Sequence, residues 1–196
     1  MKKIQFNEIK NILEYEKIRE TLRNHVIRLK KNRRLQVGDL ISFLFENRET
    51  VIFQIQEMIR AERIVEDAKI QDEIDVYNQL IPDDGELSAT MFIEIEEKEK
   101  IKELLDQMMG IDQEGTVYFK IGETQQVPGI FEAGHSKEDK ISAVHYVRFR
   151  FTPEQIEGLR NEHEEVSLVV DHPNYRRRKE VPLEVRRELV KDLVED

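Results

Sequence analysis

The sequence predicts an α+β fold: amino-terminal helices with a hairpin or short strand, followed by a mixed or antiparallel sheet covered by helices. Three observations carry this expectation. Apolar residues recur every three or four positions through much of the first 80 residues, as on one face of a helix. After residue 88 they alternate instead, as in half-buried strands. Only five prolines and eight glycines interrupt a chain that is 39% hydrophobic and 37% charged, a composition of folded, helix-rich proteins rather than of disordered ones.

Each element follows in order. Ile18, Leu22, Val26 and Leu29 give residues 14–32 a helical stripe, with a shorter helical segment at 8–13 before it. Residues 40–45 read as a short strand ending at an Asn-containing turn. Val51, Ile55, Met58 and Ile59 then form the stripe of a helix over 49–67, and a further helix is expected over 70–80. Pro82, Asp83, Asp84 and Gly85 stop it. Beyond that turn the pattern predicts a strand at 88–95, a helix at 97–109, and strands at 117–121, 126–131 and 142–151. Thr152 and Pro153 suit the cap and first position of a short helix. A strand at 165–170, the loop "DHPNYRRRKE" and a final helix from Pro182 complete the chain. From residue 88 onward the order permits a ferredoxin-like topology. At 196 residues the chain can bury a sizeable core, and one compact domain over 1–196 is expected. The turn at 82–85 would divide it into a helix-rich subdomain, 1–82, and an α+β sandwich, 86–196.

Composition narrows the chemistry. There is no cysteine, which removes disulfides, thiolate nucleophiles, Cys-ligated zinc and iron–sulfur clusters. No stretch approaches about 18 consecutive apolar residues, so no membrane-spanning helix is expected and the predicted location is cytoplasmic. The net charge of −10 is unevenly spread: residues 1–34 carry 11 Lys or Arg against 4 Glu, and residues 35–175 carry 13 against 31 acidic groups. A basic arm beside an acidic body suits self-neutralisation, a second copy of the chain, or an acidic partner. Nucleic acid is disfavoured, because "RLKKNRR" would have to overcome the acidic middle.

The candidate sites are built from carboxylates, histidines and arginines. On a helix of about 100° per residue, Glu62 and Glu66 fall at about 20° and 60° from Val51, on the apolar stripe. Two such carboxylates can share a proton, accept salt bridges or bind a divalent metal or iron. His145 lies in the apolar row of "ISAVHYVRFRF", and needs a partner there. It is the candidate third ligand or base beside the two glutamates. Arg60 and Arg63 flank the pair, and Arg176 and Arg177 sit in the basic loop; all four are candidate anion or partner contacts. A weaker set comprises Glu132 and His135, spaced Glu-x-x-His, together with His172. No Walker loop, G-x-G-x-x-G, H-E-x-x-H or G-x-S-x-G motif is present, so neither an activity nor a cofactor is specified.

Four separated segments, "LFENRETVIFQIQEMIRAERI", "YNQLIPDDGELSATMFIEI", "SAVHYVRFRFTPEQ" and "VDHPNY", together resemble a prokaryotic family known as domain of unknown function 3501. Its members are often encoded beside rubrerythrin-like or other redox proteins. The resemblance implies a role near peroxide or iron metabolism and a rubrerythrin-like partner, but brings no catalytic residue. The chain lacks the cysteines and paired Glu-x-x-His motifs of rubrerythrin itself. The expected function is an accessory or interaction protein, associated with redox or iron metabolism and open to homo-oligomers. Its competitor is a small metal-binding protein or enzyme using Glu62, Glu66 and His145.

Overall fold

The computed structural model describes residues 1–132 and 141–194. Six helices are present among these residues: α1 (Ile12–Lys31), α2 (Arg48–Glu62), α3 (Asp67–Tyr77), α4 (Ile101–Gln107), α5 (Pro153–Arg160) and α6 (Leu183–Val194). The strands are β1 (Arg34–Val37), β2 (Ile41–Glu46), β3 (Glu86–Ile93), β4 (Val117–Ile121), β5 (Gln125–Phe131), β6 (Val144–Arg150), β7 (Val166–His172) and β8 (Tyr175–Glu180). They form one antiparallel sheet in the order β1-β2-β3-β6-β5-β4-β7-β8. This α+β architecture replaces the ferredoxin-like order considered from the sequence.

The sheet curls into a nearly closed barrel. Phe43, Phe45, Leu87, Phe119, Phe149 and Leu168 point inward and are all fully buried. Phe119 and Phe149 meet edge to face with centroids 4.8 Å apart, the geometry that ring quadrupoles favour. Helix α6 contributes Val185, Leu189 and Leu193 to the same cluster. Its Asp192 takes the guanidinium of the buried Arg33, which also donates to the carbonyl of Phe45 at 2.9 Å. A buried cation thus has a carboxylate and a carbonyl, as its desolvation requires.

The two edge strands, β1 and β8, are fastened by a side chain instead of a ladder. The Tyr175 hydroxyl donates to the Val37 carbonyl at 2.7 Å and accepts from the Leu40 amide at 3.0 Å. Gly38 makes this approach feasible: its φ is +76°, and a Cβ there would lie 2.2 Å from the Tyr175 hydroxyl.

A second apolar cluster lies outside the barrel. Val51, Ile55 and Ile59 of α2 meet Ile70 and Ile74 of α3, with Tyr146 of β6 packed against them. Two side-chain amides bind the amino-terminal segment to it. Asn78 accepts from the Ile4 amide and donates to its carbonyl, at 2.8 and 3.0 Å, and Gln56 does the same for Lys10 at 2.8 and 3.0 Å. Helix α1 docks through Glu57, which receives two bonds from Arg19 and one from the Tyr15 hydroxyl at 2.7–2.8 Å.

Several elements differ from the sequence expectation. β1 and β2, from the segment read as helix-rich, belong to the same sheet as β3 to β8. The basic stretch read as a loop is β8, hydrogen-bonded to β7 with Val169 opposite Arg178. The helix expected over 97–109 is a 3-10 turn at Lys98–Lys100 followed by α4, and in place of the short helical segment expected at 8–13 there is a 3-10 turn at Phe6–Glu8, with α1 starting at Ile12. The helix expected to reach residue 67 stops at Glu62. There Arg63 takes left-handed angles (φ 54°, ψ 40°), and the Ile64 amide turns back to the Ile59 carbonyl at 2.9 Å, a Schellman ending closed by a non-glycine residue.

Candidate functional site

Antiparallel register brings a row of polar side chains together on the outward face of the sheet. Glu46 stands opposite Ser88, Ser88 opposite Arg148, and Arg148 opposite Ile130. In the adjoining row Leu44 stands opposite Thr90 and Thr90 opposite Tyr146. Because side chains alternate along a strand, these residues face away from the phenylalanine-filled interior.

Glu46 is 1% exposed, and its bonds come from neutral donors. The Thr50 hydroxyl donates at 2.5 Å, the Thr90 hydroxyl at 2.8 Å and the Gln54 amide at 3.0 Å. The local sequence explains this. Asn47 caps α2 by accepting from the Thr50 amide at 3.0 Å, which turns Thr50 back toward the strand that has just ended. Gln54 follows one helical turn later, on the same face.

Beyond Ser88 the row opens into a groove of about 540 Å³, walled by the end of α3, the turn after it and the amino-terminal segment. Leu80, Ile130 and Tyr146 supply apolar surface. Lys3 lies 3.3 Å from Asp83 and donates to the Ile81 carbonyl at 2.9 Å. Arg148 donates to Glu86 at 2.7 Å and to the Gln79 carbonyl, and Arg150 also bonds Glu86. Burial alone would push the Asp83 carboxyl up, but Lys3, Arg148 and the amino terminus outweigh it and hold the group below its usual range. Asp75, Glu132 and Tyr146 also line the groove. The Tyr146 phenol is raised by burial first and then by the charges of Glu46 and Glu132, and the neighbouring Tyr77 is raised by burial, Glu73 and Tyr146.

The residues expected from sequence are distributed elsewhere. Glu62 and Glu66 do not share a helix: Glu62 is the last residue of α2, and Glu66 precedes α3 with extended angles. Both are exposed, lining a surface depression of about 420 Å³ with Arg63, Lys69 and Glu73, and Glu66 pairs with Lys69 at 2.8 Å. The wheel that placed Glu66 on an apolar stripe was carried past a helix end, and Glu62 stands exposed in the last turn of α2. His145 is not beside them; it belongs to the inward row of β6. It is 1% exposed, its Nε2–H donates to the Ser142 carbonyl at 2.8 Å, and its Nδ1 lies 3.8 Å from Asp112. Arg60 pairs with Glu16 at 2.5 Å.

Arg176 pairs with Asp171 at 3.0 Å, and Arg177 stacks over Tyr175 at 5.0 Å and lies 3.8 Å from Asp39. These acids balance the basic strand locally. His172 is buried between two backbone groups: Nδ1 accepts from the Asn174 amide at 3.3 Å, so the Nε2–H donates to the Met109 carbonyl at 2.9 Å. Glu132 borders the groove, whereas His135 falls outside the described residues. Among the described residues, no three His, Asp or Glu side chains converge on a point that would suit a metal ion, and no helix is long and apolar enough to cross a membrane.

Sequence reasoning passed over Glu46, Ser88, Tyr146 and Arg148. One signal was present: Tyr146 and Arg148 alternate with the apolar row of "AVHYVRF" and so had to occupy the opposite face. What bordered that face depends on contacts with α3 and the amino terminus, which are remote in sequence.

Residues 3–193 match the model of a family described as "Protein of unknown function (DUF3501)". Among solved structures the chain is similar to a protein of unknown function from Burkholderia pseudomallei K96243, determined at 1.90 Å resolution. The two are 29% identical with a TM-score of 0.90, and the likeness covers 98% of this chain and 100% of that one. No curated protein matches.

Proposed function

From the premise that the chain belongs to the DUF3501 family of proteins of unknown function, we propose that it acts by binding rather than by catalysis. On this reading it is an accessory protein whose groove over β3, β6 and β5 receives a ligand or a segment of a partner. The observation that carries the proposal is the commitment of the groove's cations. Lys3 is engaged by Asp83 and a carbonyl, and Arg148 by Glu86 and a carbonyl, so both build the walls. A pocket with apolar surface and a few oriented polar groups suits recognition. The partner proposed is a redox protein of the rubrerythrin-like type, the association implied by the family resemblance.

Sedimentation of the chain with a rubrerythrin-like protein, combined with amide chemical-shift mapping, tests this. The expected result is a complex that perturbs the amides of Ser88, Ile130 and Tyr146. Ile130, 49% exposed at the groove, is the residue to change: Ile130→Asp should weaken the complex by about tenfold, as loss of a buried apolar contact does. A complex indifferent to Ile130→Asp, with shifts confined to other surfaces, would reject the groove as the binding site.

A further inference from the structure

We propose that the carboxy-terminal half of α1 and the adjoining strand β1 form a docking surface, separate from the groove, for a short acidic segment of a partner protein. The segment lays carboxylates against Arg23, Lys30, Lys31 and Arg34 and an aliphatic side chain on Ile27.

The basic run on β8 is neutralised where it stands: Arg176, Arg177 and Arg178 face Asp171, Asp39 and Glu165. Arg148 and Arg150 likewise share Glu86. The end of α1 differs. Between Glu20 and Asp39 the sequence holds no acidic residue, and the carboxylates that reach this exposed stretch from elsewhere, Glu49 and Glu94, are taken by His25 and Arg34. Among the described residues, Arg23, Arg28, Lys30 and Lys31 pair with no carboxylate. The carboxyl end of a helix offsets only about half a unit of positive charge, and only within its last turn. A chain with a net charge of −10 therefore keeps a cluster of uncompensated cations here.

These cations are also gathered in one place. Ile27, Lys30, Lys31, Arg34 and Gln36 line a single open depression of about 440 Å³, and Arg23, four residues before Ile27, shares its helix face. Lys30 lies 5.8 Å from the centre of the Phe53 ring and Arg34 5.7 Å from that of Phe92, contacts that position a cation without neutralising it. Ile27 is 43% exposed beside them, so an aliphatic side chain has apolar surface to cover. The borders decide the size of the occupant. Glu49 stands at His25, 2.6 Å away, and Glu94 at Arg34. A nucleic-acid duplex or an anionic membrane would extend over both borders and be repelled there, whereas a short acidic segment meets the cations alone.

Amide chemical-shift titration of the full chain with the blocked peptide Glu-Leu-Asp-Glu-Leu-Asp, and with its uncharged counterpart Gln-Leu-Asn-Gln-Leu-Asn, tests both the charge and the place. At low ionic strength the acidic peptide should shift Ile27, Lys31, Arg34 and Gln36 saturably, and the uncharged one should not. Arg23 and Lys31 are exposed and have no ion pair to lose, so Arg23→Glu and Lys31→Glu should leave the melting temperature unchanged while each weakens the acidic peptide by about fivefold, as reversal of one partly screened charge does. Ile130→Asp should leave the peptide bound as tightly as before; its loss would move the site to the groove and overturn the proposal. No saturable shift at the four amides, equal binding of the uncharged peptide, or charge-reversed variants that bind like the parent would also overturn it. Tighter binding of a short DNA duplex or of phosphatidylserine vesicles at the same amides would replace the acidic segment with those partners, and self-association abolished by Lys31→Glu would replace it with a second copy of the chain.

Discussion

The inward face of β2, β3 and β6 presents Phe45, Ala89 and Val147, whereas the outward face of the same strands presents Glu46, Ser88, Thr90, Tyr146 and Arg148. Inside, aromatic and branched side chains interlock without a charged group among Phe45, Phe119, Phe149 and Phe151. Outside, a buried carboxylate is held by hydroxyls and an amide, and an open groove begins within one strand spacing of it. The difference separates two tasks. Dense apolar packing fixes the cylinder, so the other face can carry polar groups whose arrangement would not by itself hold a sheet together.

If that separation is correct, the largest effect belongs to the interior. Phe149→Ala should cost about 3–5 kcal/mol, the sum of lost burial and an unfilled cavity, measured by chemical denaturation. A cost near 1 kcal/mol would mean that the barrel interior is not the main source of stability.

Glu46→Ala sharpens the comparison at the boundary. It leaves the Thr50 and Thr90 hydroxyls and the Gln54 amide without their shared acceptor, for an expected loss of about 1–3 kcal/mol. Crystallography of the variant should show β2 and β3 in unchanged register, because the inward row is untouched.

A smaller, pH-dependent effect is expected where α1 meets α2. The bidentate bond from Arg19 is the main influence holding the Glu57 carboxyl below its ordinary value of 4.5; Tyr15 adds to it, while burial opposes it. A carboxyl lowered in the folded state contributes stability above its unfolded pKa and loses that contribution as pH falls through the folded value. Glu57→Gln should therefore destabilise by about 1 kcal/mol near neutrality, modest because the pair is partly solvated. The gap between variant and parent should close progressively below pH 4.5. A gap that stays constant into acid would assign the effect to packing.

The smallest effect is expected outside both regions. Glu62→Ala and Glu66→Ala should each change stability by less than about 0.5 kcal/mol, as exposed substitutions usually do, and should leave the partner complex tested above unaltered. A large loss in either assay would restore these two acids to the centre of the protein's chemistry.

Local chemistry made much of the fold legible. β4 was readable to the residue, since Val117, Phe119 and Ile121 alternate inward with Tyr118 and Lys120 between them. The start of α5 followed from Thr152 and Pro153, and Thr152 indeed forms a capping box with Gln155. β8 was hidden because a barrel's edge strand can face water: Arg176 to Glu180 are all exposed, so no alternation marks them. The end of α2 was hidden because its left-handed residue is Arg63 instead of glycine. The candidate site was obscured for a different reason. Tyr146 and Arg148 announce only a polar strand face; the walls opposite them come from residues 3 and 75–83, joined by pairings that no spacing along the chain reveals.

Tyr175 spans the line where β1 and β8 meet. A cylinder fastened there by one phenol, with no ladder across the join, can loosen along that line while every strand keeps its neighbour and its register. Its girth is set by the reach of an aromatic ring, and Gly38 is the notch that lets the ring seat. Solvent should first enter the interior by that seam, beside Val37 and Leu40.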